Sequence, residues 1–148
     1  MIEINEVLND NFKIGKDTIL QAIADKEYRY KRHGIKYSIA AVYTECGKSL
    51  CDIEKYLRKT DQIIKISPVC FCICFDVTDT AGAIKVSQNV INNFLKIDSS
   101  KKIYIGVTTA GNDDSNYDIV TRAFYTLNEA KKHNYSSVED DSVLDHLI

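Results

Sequence analysis

This sequence contains little proline, no long apolar run and no excess of basic residues. Its 148 residues contain one proline, Pro68, and 19 lysines and arginines against 21 aspartates and glutamates. No apolar run approaches the roughly 20 residues of a membrane helix, so we expect no membrane insertion. The net charge of −2 argues against nucleic acid as a partner, because such binding needs a clustered basic surface.

What is present fits one globular domain over residues 1–148. The sequence is 45% hydrophobic and 27% charged, which is typical of folded rather than disordered chains. Its first ten residues, MIEINEVLND, are acidic and polar, whereas a secretory signal is basic and then apolar. We therefore expect a cytoplasmic protein, and we interpret residues 139–148 as an acidic tail.

Five cysteines are present, and three of them alternate in one apolar segment, at Cys70, Cys72 and Cys74. Alternate residues of a strand share a face about 6.6 Å apart, so these thiols cannot converge on one metal ion. Neither Cys46 nor Cys51 pairs with a histidine at a metal-binding spacing. We predict no metal site, and we interpret the three cysteines as reduced side chains of a sheet core.

Apolar spacing predicts the element order α-β-α-β-β-α-β-α. The first helix is predicted over residues 17–33, with Asp17 as its N-cap and Gly34 as its end. A hairpin is predicted where QIIKI and VCFCICF are joined at Ser67 and Pro68. The other predicted elements are a strand over 37–44, a short helix through Leu50, Ile53 and Leu57, a helix over 80–96, a strand over 102–110, a helix over 117–133 and a short helix in SVLDHLI.

The centre of this order, βαββαβ, is typical of α+β domains with a palm-type or ferredoxin-like sheet. We therefore predict a central antiparallel sheet with flanking helices, and we expect those helices on one face.

Five segments, in order, resemble the GGDEF domains of diguanylate cyclases. The resemblance covers about residues 16–138 and implies the same palm-type fold. The matching segments are EYRYKRHGIKYSIAAV, LRKTDQIIKISPVCFCICF, AGAIKVSQNVINNFL, IYIGVTTA and AFYTLNEAKKHN.

The resemblance also implies how the family's chemistry has changed here. In that family two domains, each with a GTP, meet, and metal ions held by carboxylates activate a hydroxyl for attack on a phosphate. The metal-binding aspartate corresponds to Tyr43, and a lysine near the phosphates corresponds to Lys131. Valine and cysteine at carboxylate positions bind no Mg²⁺, and proline has no N–H. We expect neither Mg²⁺ nor cyclase activity. The degenerate signature turn is Ser67, Pro68, Val69, Cys70 and Phe71.

One ligand motif of the family is kept in register. Arg58-Lys59-Thr60-Asp61 matches the R-x-x-D of the inhibitory site, five residues before the signature turn. A guanidinium and a carboxylate suit the edge of a guanine base. The resemblance implies a cyclic di-GMP site at Arg58 and Asp61, with Lys85 as its basic residue from the next helix. The same motif is also explained by a solvated arginine and an aspartate that ends a helix.

Two functions follow from the sequence. One is a non-catalytic signalling domain that binds cyclic di-GMP, and the other is a pure protein-interaction domain without nucleotide binding. The partner in the second case is another signalling protein or a second copy of the chain. Exposed tyrosines would serve such a surface, and the candidates are Tyr28, Tyr30, Tyr125 and Tyr135.

Overall fold

The computed structural model describes residues 4–45, 53–111 and 118–146. Four helices and five strands are assigned in these ranges, with short 3-10 turns at Glu54–Tyr56 and Asp141–His146. The helices are α1 (Glu6–Ala22), α2 (Ala24–His33), α3 (Thr80–Ile97) and α4 (Ile119–Lys131); the strands are β1 (Ser38–Thr44), β2 (Gln62–Ser67), β3 (Cys70–Phe75), β4 (Ile103–Thr109) and β5 (Ser137–Asp140).

The strands form one sheet in the order β2-β3-β1-β4-β5. The first four are antiparallel to their neighbours, and β5 is parallel to β4. The predicted palm-type α+β sheet with flanking helices is therefore confirmed, and its antiparallel centre gains one parallel edge strand. The predicted hairpin is confirmed too, since β2 pairs with β3 on either side of Pro68.

Helices cover both faces of the sheet, so the expectation of helices on one face was wrong. Ile39 and Ala41 of β1 pack in the cluster that includes α1 and α4, whereas Ala40 and Val42 pack in the cluster that includes α3. Every residue of β3 is buried. Central strands that are apolar on both sides need cover on both sides.

The first helix begins earlier than predicted. Helix α1 starts at Glu6, and the side chain of Asn5, rather than Asp17, caps it by accepting from the Val7 N–H. Leu8, together with Asn11, Gly15 and Ile19, forms a buried stripe at helical spacing. The one predicted helix is two in the structure, because α1 ends at Ala22 and α2 begins at Ala24. The predicted end at Gly34 is confirmed for α2 by the left-handed φ of 70°. Of the predicted helix at 50–57, the structure has the 3-10 turn Glu54–Tyr56, and Leu50 lies outside the described residues.

The predicted acidic tail begins inside the sheet. Residues Ser137–Asp140 form β5, and Glu139 Oε1 accepts a 2.8 Å hydrogen bond from His133 Nε2. Asp141 is buried against Arg122 of α4. A four-residue parallel strand carrying two acids has too short an apolar pattern to be recognised from sequence. No helix in the described ranges combines the length and apolarity that crossing a bilayer requires.

Candidate functional site

The turn predicted to correspond to the family signature, residues 67–71, lies at one end of the sheet, where β2 passes to β3. Pro68 is exposed, whereas Cys70 and Phe71 are buried. The backbone N–H of Val69 donates to Ser67 Oγ at 3.3 Å. The N–H of Thr44 donates to the Val69 carbonyl at 2.8 Å, which fixes the turn against β1. The structure thus brings the turn and the end of the first strand together.

Tyr43 stands beside this turn, directly opposite Cys70 on β3 and Tyr104 on β4. The two tyrosine rings stack with their centroids 6.4 Å apart. Lys131 Nζ lies 5.2 Å from the centre of the Tyr43 ring and 6.0 Å from that of Tyr104. Burial, followed by the charge of Glu45, raises the pKa of Tyr43. A cation held over neutral aromatic rings therefore occupies this end of the sheet.

These side chains do not fit a Mg²⁺ site. Magnesium takes oxygen ligands in octahedral geometry, chiefly carboxylates and phosphates. Glu45, which directly follows β1, accepts the Lys102 N–H at 2.9 Å. Within the described ranges, no group of three or more aspartate, glutamate, histidine or cysteine residues is arranged to hold a metal ion. No metal-dependent step can be derived from this set of residues.

Arg58 and Asp61 of the R-x-x-D motif lie toward the opposite end of the sheet, and they are hydrogen-bonded to each other. Arg58 Nη2 is 2.9 Å from Asp61 Oδ1, and the Arg58 N–H donates to Asp61 Oδ2 at 2.9 Å. The Asp61 side chain is fully covered, whereas that of Arg58 is 52% exposed. The hydrogen bond to Asp61 raises the pKa of Arg58. Only the arginine of the pair is open to a ligand in this arrangement.

Arg58 also holds the turn that follows β3, a role that the sequence did not indicate. Its Nη2 donates to the Asp76 carbonyl at 2.8 Å and to Thr78 Oγ1 at 2.6 Å. The carboxylate of Asp76 is in turn 2.6 Å from Arg29 Nη2 of α2. Val77, between the two bonded residues, has a left-handed φ of 47°, which a β-branched residue rarely adopts. Asp76 and Thr78 lie 18 and 20 residues from Arg58 in the sequence, so no short sequence motif predicts these hydrogen bonds.

Lys85 lies on an exposed position of α3. Across the described part of the chain, no hydrogen bond or ion pair joins it to Arg58 or Asp61. The structure therefore brings Arg58 and Asp61 together and leaves Lys85 apart from them.

The three alternating cysteines are free and buried, as predicted. Cys46 and Cys51 lie outside the described residues. Burial raises the pKa of the Cys70 and Cys74 thiols to about 12, and it raises that of Cys72 well above its ordinary value. Since the thiolate is the reactive form, these are inert core side chains.

We expect Cys70, Cys72 and Cys74 to resist alkylation in the folded protein. Iodoacetamide at pH 8 should leave all three unmodified over a time that labels them fully in denaturant, because they are covered and protonated. Peptide mass spectrometry resolves each site, and the denatured sample is the control. Labelling of Cys70 at equal rates in both samples would contradict the burial.

The same thiols should make the domain less stable at high pH. Between the ordinary thiol pKa of 9.0 and the folded value of about 12, the unfolded chain has lost protons that the folded chain retains. The free energy of unfolding is then unaffected below about pH 9 and falls as the pH rises above it. Urea unfolding at pH 8 and pH 10 measures this. Cys74→Ala should reduce the pH dependence, and an identical slope in that variant would show that other groups cause it.

Comparisons with known proteins agree on the fold. No family model and no curated sequence matches the chain. Among solved structures, a truncated form of PA1120 (TpbB or YfiN) from Pseudomonas aeruginosa, comprising only its GGDEF domain, has a TM-score of 0.73 at 13% identity. The match covers 88% of this chain and 91% of that one.

Two further structures show the same likeness. Diguanylate cyclase SiaD of P. aeruginosa, solved with its activator SiaC, has a TM-score of 0.69 at 18% identity, over 84% of this chain and 57% of that one. The GGDEF domain of DgcB from Caulobacter crescentus, solved with c-di-GMP, has a TM-score of 0.65 at 11% identity, over 86% and 88% of the two chains. At these identities the comparisons establish the fold, and the fold is that of GGDEF domains.

Proposed function

We propose that this chain, which has the fold of a GGDEF domain, is a cytoplasmic signalling domain without cyclase turnover. The observation that carries the proposal is the side-chain set beside the hairpin turn: Tyr43 faces Cys70, and Lys131 lies 5.2 Å over the Tyr43 ring. Phosphoryl transfer depends on metal ions and cations that neutralise charge developing on phosphate oxygens. Here the lysine is held by aromatic rings, and metal-binding carboxylates are replaced by a phenol and a thiol.

Turnover is tested by incubating the purified chain with GTP and Mg²⁺ or Mn²⁺ and measuring products by liquid chromatography and mass spectrometry. We expect no linear or cyclic dinucleotide above the level of a blank without protein. An active diguanylate cyclase, assayed in parallel, sets the detection limit. Accumulation of cyclic di-GMP in proportion to the amount of this chain would refute the proposal.

Cyclic di-GMP is the ligand class for which the chain offers a candidate site, at Arg58 and Asp61, with Lys85 of α3 as the basic residue from the next long helix. The support is the 52% exposure of Arg58, which leaves guanidinium N–H groups available to a base edge or a phosphate. DgcB, a structural neighbour, was solved with c-di-GMP. Because Asp61 is covered and bonded to Arg58, a ligand that uses both residues must first open their contact.

Arg58→Ala should abolish any thermal stabilisation by cyclic di-GMP. A ligand that binds only the folded state adds about 2.7 kcal/mol at a hundred times its Kd, so the melting temperature should rise for the parent chain and not for the variant. Lys59→Ala, which changes an exposed residue at a variable position of the motif, is the matched control, and GTP is the control ligand.

Arg58→Ala should also lower the stability of the ligand-free domain by about 1–2 kcal/mol, because it removes the bonds to Asp61 and to the turn after β3. The ligand response is therefore read as the shift relative to each variant's own melting temperature. An unchanged shift in Arg58→Ala would place the ligand elsewhere.

The second candidate is a pure interaction domain that binds another signalling protein or a second copy of itself. It predicts no heat and no thermal shift with cyclic di-GMP at high concentration. Of the four tyrosines considered for such a surface, Tyr28 and Tyr135 are 61% and 62% exposed, whereas Tyr30 and Tyr125 are partly buried. Tyr28 and Tyr135 are thus the residues to substitute in a binding assay.

A further inference from the structure

Helix α2 is attached to the domain without burying any of its residues. Helices in globular proteins are normally held by an apolar face against the core. Here Glu27 accepts a hydrogen bond from the Tyr37 hydroxyl, and Arg29 forms its 2.6 Å ion pair with Asp76. These polar contacts, together with Tyr30, which packs partly buried against the core, hold the helix in place, and a space is left beneath it.

That space is a cleft of about 550 Å³ between α2, the end of α1, the end of β4 and the start of α4. Small residues form part of its lining, namely Ala24 on α2 and Ala110 and Gly111 after β4. Its volume is within the range of about 300–1,000 Å³ that is typical of small-molecule sites. Apolar side chains from the neighbouring elements complete the lining, namely Leu20, Ile23 and Ile119.

The acidic groups that line the cleft already have partners. Glu27 accepts from the Tyr37 hydroxyl. Asp118 accepts the Thr121 N–H at 2.7 Å and pairs with Lys16 Nζ at 3.2 Å. Although burial acts in the opposite direction, these contacts lower the pKa of Asp118. Neither carboxylate needs a cationic ligand.

The two cations of the lining differ. Arg122 is buried and pairs with Asp141 at 3.4 Å. Lys31 is exposed, and within the described ranges it forms neither an ion pair nor a hydrogen bond. Tyr28 stands three residues before Lys31 on the same side of α2, with 61% of its surface exposed. The cleft therefore combines an apolar floor, an aromatic ring and one amino group available to an anion.

We propose that this cleft binds a small aromatic compound that carries one acidic group. The ring system lies on the apolar floor beside Tyr28, and the anionic group pairs with Lys31 at the rim. This site is separate from the hairpin turn and from Arg58, and it does not depend on nucleotide binding. It gives the domain an input of its own, because a ligand here contacts α1, α2 and α4 together.

The probe for this site is 8-anilinonaphthalene-1-sulfonate, an aromatic ring system with one sulfonate. Titration of the full chain, followed by fluorescence and calorimetry, should give saturable one-to-one binding. Lys31→Ala should weaken binding about fivefold, since an exposed ion pair contributes at most about 1 kcal/mol. Lys36→Ala, an exposed lysine outside the lining, should leave the affinity unchanged. N-phenyl-1-naphthylamine, which lacks the sulfonate, should bind the parent and Lys31→Ala equally.

Filling the cleft provides the second test. Ala24→Phe places a ring in the space from an exposed helix position and should remove binding of both probes. Tyr28→Ala should weaken the binding of both probes. It replaces Ala24→Phe as the test if the phenylalanine lowers the melting temperature. Near-UV circular dichroism must be retained, since the sulfonate probe also binds partly unfolded states. Equal affinity in the parent, Ala24→Phe and Tyr28→Ala, or no binding to the parent, would overturn the proposal.

Discussion

Gly106→Ala is expected to destabilise the domain by about 3 kcal/mol, the upper part of the range for overpacked cores. Gly106 lies in the middle of β4, where α4 crosses the sheet. A Cβ at this position would be 2.2 Å from Leu127 N, 2.7 Å from Leu127 Cα and 2.8 Å from the Ala123 carbonyl oxygen. These are backbone atoms of a helix, so no side-chain rotation can relieve the clash. Helix α4 would have to move off the sheet, where Phe124 and Leu127 are now fully buried.

Denaturant unfolding, followed by circular dichroism, measures the effect on the free energy of unfolding. Gly82→Ala is the matched control, because there a Cβ would meet Thr78 Cγ2, a side-chain atom, at 3.1 Å. Gly82 is in the first turn of α3, where alanine gains up to about 1 kcal/mol of helix propensity, so we expect little net change. Equal stability of the two variants would show that α4 does not pack this closely against β4.

Asp141→Ala is expected to lower the free energy of unfolding by about 3 kcal/mol, because it removes a buried carboxylate that pairs with a buried arginine. Asp141 Oδ2 lies 3.4 Å from Arg122 Nε and accepts the Thr108 hydroxyl at 2.6 Å. The side chains of the ion pair are 4% and 5% exposed, so water cannot replace the lost carboxylate. The contact joins the segment after β5 to α4 and β4, and its loss should also release that segment.

The measurement is the same unfolding assay, together with amide hydrogen exchange of residues 137–146. Asp145→Ala, an exposed aspartate four residues away, is the control and should change the stability by less than about 0.5 kcal/mol. The double variant Arg122→Met with Asp141→Ala should regain part of the loss, because both charges of the buried ion pair are then removed together. If Asp141→Ala behaved like Asp145→Ala, residues 139–148 would be the solvated tail that the sequence suggested.

Much of the fold could be read from local patterns. The alternating and continuous apolar runs predicted β1 to β4, and the residue pair Ser67-Pro68 predicted the hairpin, because strand periodicity and turn chemistry are local properties. The segments that resemble GGDEF domains pointed to the sheet that the structural neighbours share. The single helix predicted over 17–33 missed the first part of α1, whose stripe includes Asn11 and Gly15, which are neither apolar nor strong helix formers. It also ran through Ile23, where α1 ends and α2 begins.

The candidate site could be only partly predicted from the sequence. The sequence itself shows that residues 67–71 contain no carboxylate, and tyrosine and cysteine cannot supply the ligands that Mg²⁺ requires. The sequence does not show that Lys131 lies over Tyr43. It also does not show that Arg58 donates hydrogen bonds to Asp61, Asp76 and Thr78. These contacts join residues that are distant in sequence, or polar groups that could equally have formed hydrogen bonds to water.

The sequence by itself determined that β3 is buried on both faces, that its thiols belong to the core, and that the hairpin turn carries no acid. Each of these follows from residue type and spacing within a short segment. Only the tertiary structure decided that Asp141 is an internal ion-pair partner, that Arg58 restrains the turn after β3, and that α2 leaves a cleft beneath it. The physical reason is that the energy of a charged side chain depends on which distant groups surround it, and chain folding alone brings those groups together.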